Sequence, residues 1–325
     1  MIKTLVTNIK RDTDMRHRFT HPHVLFIGDN GSGKSALVHG IELACFGQVY
    51  DAAGKDIKLK RHLEFMVGDN EEVNASILMA DCEAYRYGND KPDLLNAMQM
   101  ATSALTGGTT GMCRFLLKHM DDEMPLRVTY QGWDEQVKQH GSYRAALLRM
   151  EEVVGKSLRK HRATIKELDV ALKYSPHNED LLAQRSQAVL HEATSKDLSA
   201  QIQKEMLRFV EGVSEGLEKR MLRHTPDGMG TPKLFIRGTD VRIGFTERPV
   251  PSGAEGVALA LALAAAVLPM EKSIIVFPDR AYDKRTLGKM MRVARSVPAF
   301  GVYVQSTVLP EDYEAEELGW QIVKV

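Results

Sequence analysis

The sequence is poor in cysteine, with only three, Cys45, Cys82 and Cys113, far apart and without a CxxC pair. That excludes a disulfide framework and a cysteine-rich zinc site, and it implies a reducing compartment. Net charge is lacking as well. Lys plus Arg number 43 and Asp plus Glu number 43, so no global field draws the chain to nucleic acid or lipid. Any polyanion contact must come from a local patch. Long apolar runs are missing too. The longest, around Val257 to Leu268, reaches about twelve residues, against the roughly twenty that a spanning helix needs. With no basic-then-apolar leader at the start, the expectation is a cytoplasmic protein with no membrane partner.

What is present is ordinary globular composition, 43% apolar and 26% charged, over a length that suits one large or two ordinary domains. One stretch organises the rest. The apolar run Val24-Leu25-Phe26-Ile27 leads into Gly28-Asp29-Asn30-Gly31-Ser32-Gly33-Lys34-Ser35, followed by Ala36-Leu37-Val38-His39-Gly40-Ile41. This is G-x-x-x-x-G-K-[ST] between a buried strand and a helix that starts at Lys34. The glycines allow the backbone N–H groups to turn inward as an anion nest, which the positive end of the helix reinforces. A polyphosphate belongs there, with Lys34 reaching the β and γ phosphates and the Ser35 hydroxyl an oxygen ligand of Mg²⁺.

Strand signals at Met1–Lys10, Val24–Ile27 and the short runs of Glu71–Tyr87 open the chain, the last as an antiparallel pair. Leu94–Leu105 and Cys113–Met120 read as helices separated by the breaker run Gly107–Gly111. From Ser142 the chain becomes a long charged helix. Leu147, Val154, His161 and Leu168 stand seven apart, as do Glu151, Leu158, Ile165 and Leu172, which is a coiled-coil seam. Ser175-Pro176-His177-Asn178 breaks it and caps a returning helix, Glu179 to Leu222. Whether this hairpin projects or folds down as an ordinary αα-hairpin stays open. Strands return at Lys233–Arg237, Val241–Phe245, Ile274–Phe277, Gly301–Val304 and Trp320–Lys324, with helices at Gly256–Leu268 and Thr286–Ser296. The expected fold class is α/β, one sheet built from both ends of the sequence around an inserted antiparallel helical hairpin. The expected domains are 1–141, an N-terminal lobe with the phosphate loop; 142–222, the hairpin; and 223–325, a C-terminal lobe.

This order resembles the ABC-type ATPase heads of the SMC, RecF, RecN and SbcC group. Gly28–Gly47 looks like that group's G-x-N-G-S-G-K-S and following helix, and Pro251–Leu263 is similar to its L-S-G-G-E signature. The resemblance implies ATP and Mg²⁺ as cofactors, with Asn30, Gly31, Ser32, Gly33, Lys34, Ser35 and Ala36 at the nucleotide. It implies a homodimer in which Ser252 and Gly253, with Glu255 at the helix start, meet the γ-phosphate held by a second copy; a helix cap is the plainer reading of Ser252-Gly253. Gln131 resembles the glutamine that senses Mg²⁺. Catalytic roles would fall to Lys34, Ser252 and Asp279.

The departures bear on hydrolysis. The group's strand ends in Asp-Glu, whereas here Ile274–Phe277 is followed by Pro278-Asp279-Arg280. Either Pro278 replaces the metal-holding aspartate and Asp279 stands for the water-orienting glutamate, or Asp279 holds the metal and Arg280 replaces the glutamate. One acid is missing in both registers. Where the group has a histidine touching the γ-phosphate, this chain has Gln305-Ser306-Thr307, and its hairpin tip carries no cysteine hook. The expected function is an ATPase of DNA repair, recombination or processing, slow or partner-dependent in hydrolysis, closing as a dimer on DNA and regulating a nuclease partner. A non-hydrolysing clamp and a P-loop small-molecule phosphotransferase are the alternatives. Basic clusters at Arg11, Arg16 and Arg18 and at Lys55, Lys58, Lys60 and Arg61 are the candidate DNA contacts or, more plainly, solvated faces.

Overall fold

The computed structural model describes residues 1–9, 15–49, 67, 72–120, 133–278, 282–311 and 319–325. The chain packs as two compact units. The first comprises Met1–Gly111, Glu215–Phe235 and Arg242–Val325, and the second Met112–Ser214 and Ile236–Val241.

In the first unit, alternation of buried and open residues makes β1 (Ile2–Thr7), β2 (Met15–Arg18), β4 (Ala75–Met79) and β5 (Ala84–Arg86) an antiparallel sheet in the order β2-β1-β4-β5. The apolar runs behave differently. β3 (His23–Ile27), β6 (Leu95–Asn96), β9 (Ser273–Val276), β10 (Gly301–Ser306) and β11 (Gln321–Lys324) form a second sheet in the order β11-β3-β10-β9-β6. Every pairing in it is parallel. Strands from both ends of the sequence therefore share this sheet, as expected, but the strands of Met1–Lys10 and Glu71–Tyr87 belong to the antiparallel sheet and not to it.

Helix α1 (Lys34–Phe46) packs against both sheets, and its apolar residues are buried around almost its whole circumference. Its Leu37 and Ile41 join Leu5, Ile77, Phe26 and Tyr303 in one core. Phe19 anchors that core, with ring centroids 6.1 Å from Phe26 and 6.0 Å from Tyr303. Further along, α2 (Ala97–Thr106) packs against α7 (Gly253–Val267) and β9, while α8 (Lys284–Ser296) starts on Asp283, whose carboxylate accepts from Thr286 N–H at 2.8 Å.

Two readings of the sequence need correction here. Leu95 and Asn96 are not helical but pair with Ser273 and Ile274, and the Asn96 side chain then caps α2 at Gln99 N–H, 3.1 Å. The break at Gly107–Gly111 shrinks to one residue, since α3 (Gly108–His119) begins at Gly108. A glycine can sit in a first helical turn, where tertiary packing outweighs its poor propensity.

The second unit is dominated by α5 (Tyr143–Tyr174) and the part of α6 (Glu179–Leu222) up to Ser214, preceded by α4 (Trp133–His140). Ser142 caps α5 by accepting from Ala145 N–H at 3.1 Å, and Asn178 caps α6 at Leu181 N–H, 3.0 Å. Cross-helix pairs fix an antiparallel register: the rings of His161 and His191 stack at 5.4 Å, Arg162 meets Glu192 at 2.9 Å, and Arg185 meets Asp169 at 2.6 Å. Leu147 and Val154 are buried on α5, and Ile202, Phe209 and Val213 on α6. The strands β7 (Pro232–Arg237) and β8 (Asp240–Phe245) form a separate two-stranded hairpin.

Candidate functional site

The phosphate loop leaves β3 at Gly28 and enters α1 at Lys34. Backbone and side-chain chemistry both shape it. Gly28 has no room for a side chain: a Cβ there would lie 2.3 Å from the Val325 carbonyl and 2.6 Å from Ser32 Oγ. Gly31 and Gly33 take φ of +85° and +107°, in the left-handed region that side chains disfavour. Ser32 N–H donates to Asp29 O at 3.2 Å, which draws the loop into a tight turn. The Lys34 side chain is buried, and its ammonium donates to the carbonyls of Gly28 (2.8 Å) and Asp29 (2.7 Å). An ammonium satisfied by its own loop is poised to exchange those carbonyls for phosphate oxygens. Ser32 Oγ is buried with no hydrogen-bond partner among the described residues, a polar atom that an anion's surroundings would satisfy. Asn30 and Gly31 are exposed at the loop tip, Ser35 follows Lys34 in the first turn of α1, and Ala36 is buried beneath. These seven residues are thus gathered on one loop and one helix end, and they fit a polyphosphate.

A second cluster stands at the N-terminus of α7. Ser252 is its N-cap, and Glu255 closes a capping box, its carboxylate accepting from Ser252 N–H at 2.8 Å. Arg248, which sequence reading passed over, pairs with the same carboxylate. The Ser252 N–H above all, with help from the Arg248 guanidinium, holds the Glu255 carboxyl below its ordinary range against the opposing effect of burial. No sequence signal marked Arg248, because the turn that brings it over α7 is set by the backbone bridge between Phe245 and Arg248. Gly253 opens the helix, so the expected start at Gly256 moves back by three residues.

At the end of the parallel sheet, Phe277 N–H still donates to Tyr303 O at 3.0 Å, which makes it the last rung of β9. Asp279, like Gln131, lies outside the described residues, as do Arg11, Lys55, Lys58, Lys60 and Arg61. Tyr282 is buried and its hydroxyl donates to Pro278 O at 3.0 Å. Among the described residues no group of three His, Cys, Asp or Glu side chains forms a metal cluster. A divalent ion here would depend on the Ser35 hydroxyl and on phosphate oxygens.

Ser306 and Gln305 end β10, the strand between β3 and β9. The Ser306 hydroxyl is taken up locally, donating to Val308 O at 2.8 Å. Gln305 is only 3% exposed, and its Oε1 has no hydrogen-bond partner among the described residues. In register it lies beside Phe26, on the sheet face that α1 covers.

A family model described as "AAA domain" matches residues 11–206, over half of the chain. The chain belongs to this AAA-domain family. Among solved structures, it is similar to the recombination mediator RecF of the RecFOR pathway in its ATPrS form, with 14% identity and a TM-score of 0.50, covering 100% of this chain and 96% of that one. RecF in its ATP form matches at 13% identity and a TM-score of 0.46, covering 96% and 93%. The Smc head domain of Pyrococcus furiosus, bound to the C-terminal domain of ScpA, matches at 12% and 0.45, covering 100% and 93%. No curated protein matches the chain. The fold of this AAA-domain protein is like that of RecF in its ATPrS form. Among its described residues no helix is long and apolar enough to cross a membrane.

Proposed function

We propose that this chain is an ATP-binding, Mg²⁺-dependent ATPase of the SMC/RecF kind, acting as a homodimer in DNA repair, recombination or processing. The observation that carries the proposal is the phosphate loop, with Lys34 buried on its own loop carbonyls and two glycines in left-handed geometry. A RecF structure of like fold is described with ATPrS, which supports the choice of nucleotide. In this reading the head is 1–141 with 223–325, and 142–222 is its inserted hairpin.

Lys34 holds the β and γ phosphates, and Ser35, Gln131 and Asp279 attend the metal. Ser252, Gly253 and the α7 N-terminus of a second copy close on the γ-phosphate, where the helix dipole favours negative charge. The Phe277 rung on Tyr303 supports the register in which Pro278 stands for the metal aspartate and Asp279 for the glutamate. One acid doing two jobs, together with a neutral Gln305 near the phosphates, supports slow hydrolysis that a partner, such as a nuclease, would accelerate. The same missing acid favours a second reading, a clamp fastened by ATP without turnover.

Binding of a fluorescent ATP analogue tests the proposal. Replacing Lys34 by Ala removes charge-assisted contacts and should weaken binding roughly 10- to 100-fold; unchanged affinity would contradict it. Multiple-turnover phosphate release then separates ATPase from clamp.

A further inference from the structure

We propose that a cavity between the C-terminal end of α2, strand β8 and the first two turns of α7 is a binding site for a small apolar molecule that carries one negative charge. All of its described lining residues belong to the first compact unit. Its volume is about 260 Å³. Pockets for drug-sized ligands span roughly 300–1,000 Å³, so a somewhat smaller compound suits it. Apolar side chains make the walls: Leu105 from α2, Ile243 from β8, and Val257 and Leu259 from α7, the last three buried. Pro249 and Val250 mark the mouth, where Val250 stands 75% open to solvent. Pro249, Pro251 and Pro278 each fix a backbone angle beside the cavity, which keeps it preformed. Walls drawn from separate segments suit a small molecule better than the broad contact that a protein partner makes.

Gly256 holds the space open. It lies in the first turn of α7, where glycine is a poor helix former, yet a Cβ built on it would meet nothing within 4 Å. No close packing demands glycine there, and a larger side chain would enter the cavity that Gly256 lines. Charge sets the class of ligand. Among the described lining residues Arg242 is the one charged side chain, and no carboxylate is present. The Thr106 hydroxyl is spent on the Thr102 carbonyl at 2.9 Å, so the guanidinium is the strong donor at this place. Its forked N–H groups match a carboxylate or sulfonate, while the apolar walls receive the rest of the molecule. The cavity also borders the proposed ATP machinery, because Pro251 directly precedes Ser252 and Pro278 directly precedes Asp279. Coupling between the two sites rests on the ATPase reading above, and it is reciprocal: ATP alters the affinity for the anion by the factor by which the anion alters that for ATP.

Isothermal titration calorimetry of the full chain with naphthoate tests the site, with naphthylmethanol and naphthylmethylammonium as neutral and cationic counterparts. The wild type should bind naphthoate about tenfold or more tightly than the alcohol, and the ammonium least. Gly256→Leu, which fills the cavity, should abolish naphthoate binding and leave ATP affinity unchanged. Arg242→Gln should bring naphthoate down to the level of the alcohol. Absence of binding by the wild type, wild-type affinity in either variant, or a preference for the ammonium would overturn the assignment. Self-association of the nucleotide-free wild type that Gly256→Leu abolishes would seat a second copy in the cavity, and would overturn it too. At saturating ATP the naphthoate affinity should shift by about fivefold or more; an unshifted affinity would overturn the coupling. A chain that binds naphthoate as described but no ATP would instead overturn the ATPase reading, and the coupling with it.

Discussion

Gly28 joins strand, loop and the neighbouring strand β11 at one atom's clearance. A methyl group there would overlap the Val325 carbonyl, a backbone atom that cannot swing aside, as well as the Ser32 hydroxyl. Gly28→Ala should therefore distort the loop and cost nucleotide affinity, while circular dichroism stays close to wild type. Native helicity with full affinity would show that the loop tolerates the shift. At the other cluster, Glu255 has a lowered pKa because it accepts from Ser252 N–H and faces Arg248. A carboxylate with a depressed folded pKa adds stability above its unfolded value of about 4.3, and that stability is lost as pH falls through the folded value. Thermal melts of Glu255→Gln should then converge with wild type at strongly acidic pH and fall below it near neutrality. Gln305 behaves oppositely. Its unpartnered buried oxygen weakens the nucleotide-free fold, so Gln305→Leu should raise the melting temperature by about 2–4 °C while lowering turnover. A variant that is less stable and fully active would remove Gln305 from the nucleotide site.

Elements were legible in the sequence wherever one period ran long enough to be read. The continuous apolar runs of β3, β9 and β10 signalled buried parallel strands, and the glycine-poor seven-residue spacing from Leu147 gave α5 and, beyond Pro176, α6. Leu95–Asn96 was not legible, because two residues contain no period, and only Ser273 and Ile274 from far along the chain make them a strand. The position of β10 between β3 and β9 was likewise invisible, being a matter of long-range pairing. Arg248 escaped notice for the same reason, since its contact with Glu255 depends on a turn between two prolonged elements. Within the helical pair, Phe209 is fully buried on α6. Phe209→Ala should cost about 3–5 kcal/mol, measurable as a lower denaturation midpoint, whereas Arg162→Ala removes an exposed pair with Glu192 and should cost about 1 kcal/mol or less. Equal losses would mean that the pair is held by its ions and not by its seam.

At the scale of the whole molecule, the phosphate loop comes from the first eighth of the sequence and the Ser252 cluster from its last quarter, yet both belong to the same compact unit. Ser252 and Glu255 are engaged with each other and Arg248, a helix start already formed and ready for an anion. The proposed role for that start is to meet a phosphate held by another copy, so nucleotide should act as an adhesive between identical chains. Light scattering of the purified chain with and without ATP and Mg²⁺ measures this directly. The mass should double on addition of nucleotide for the wild type and stay at one chain for Lys34→Ala and for Ser252→Arg. A wild-type chain saturated with ATP that keeps the mass of a single chain would contradict the proposed dimer.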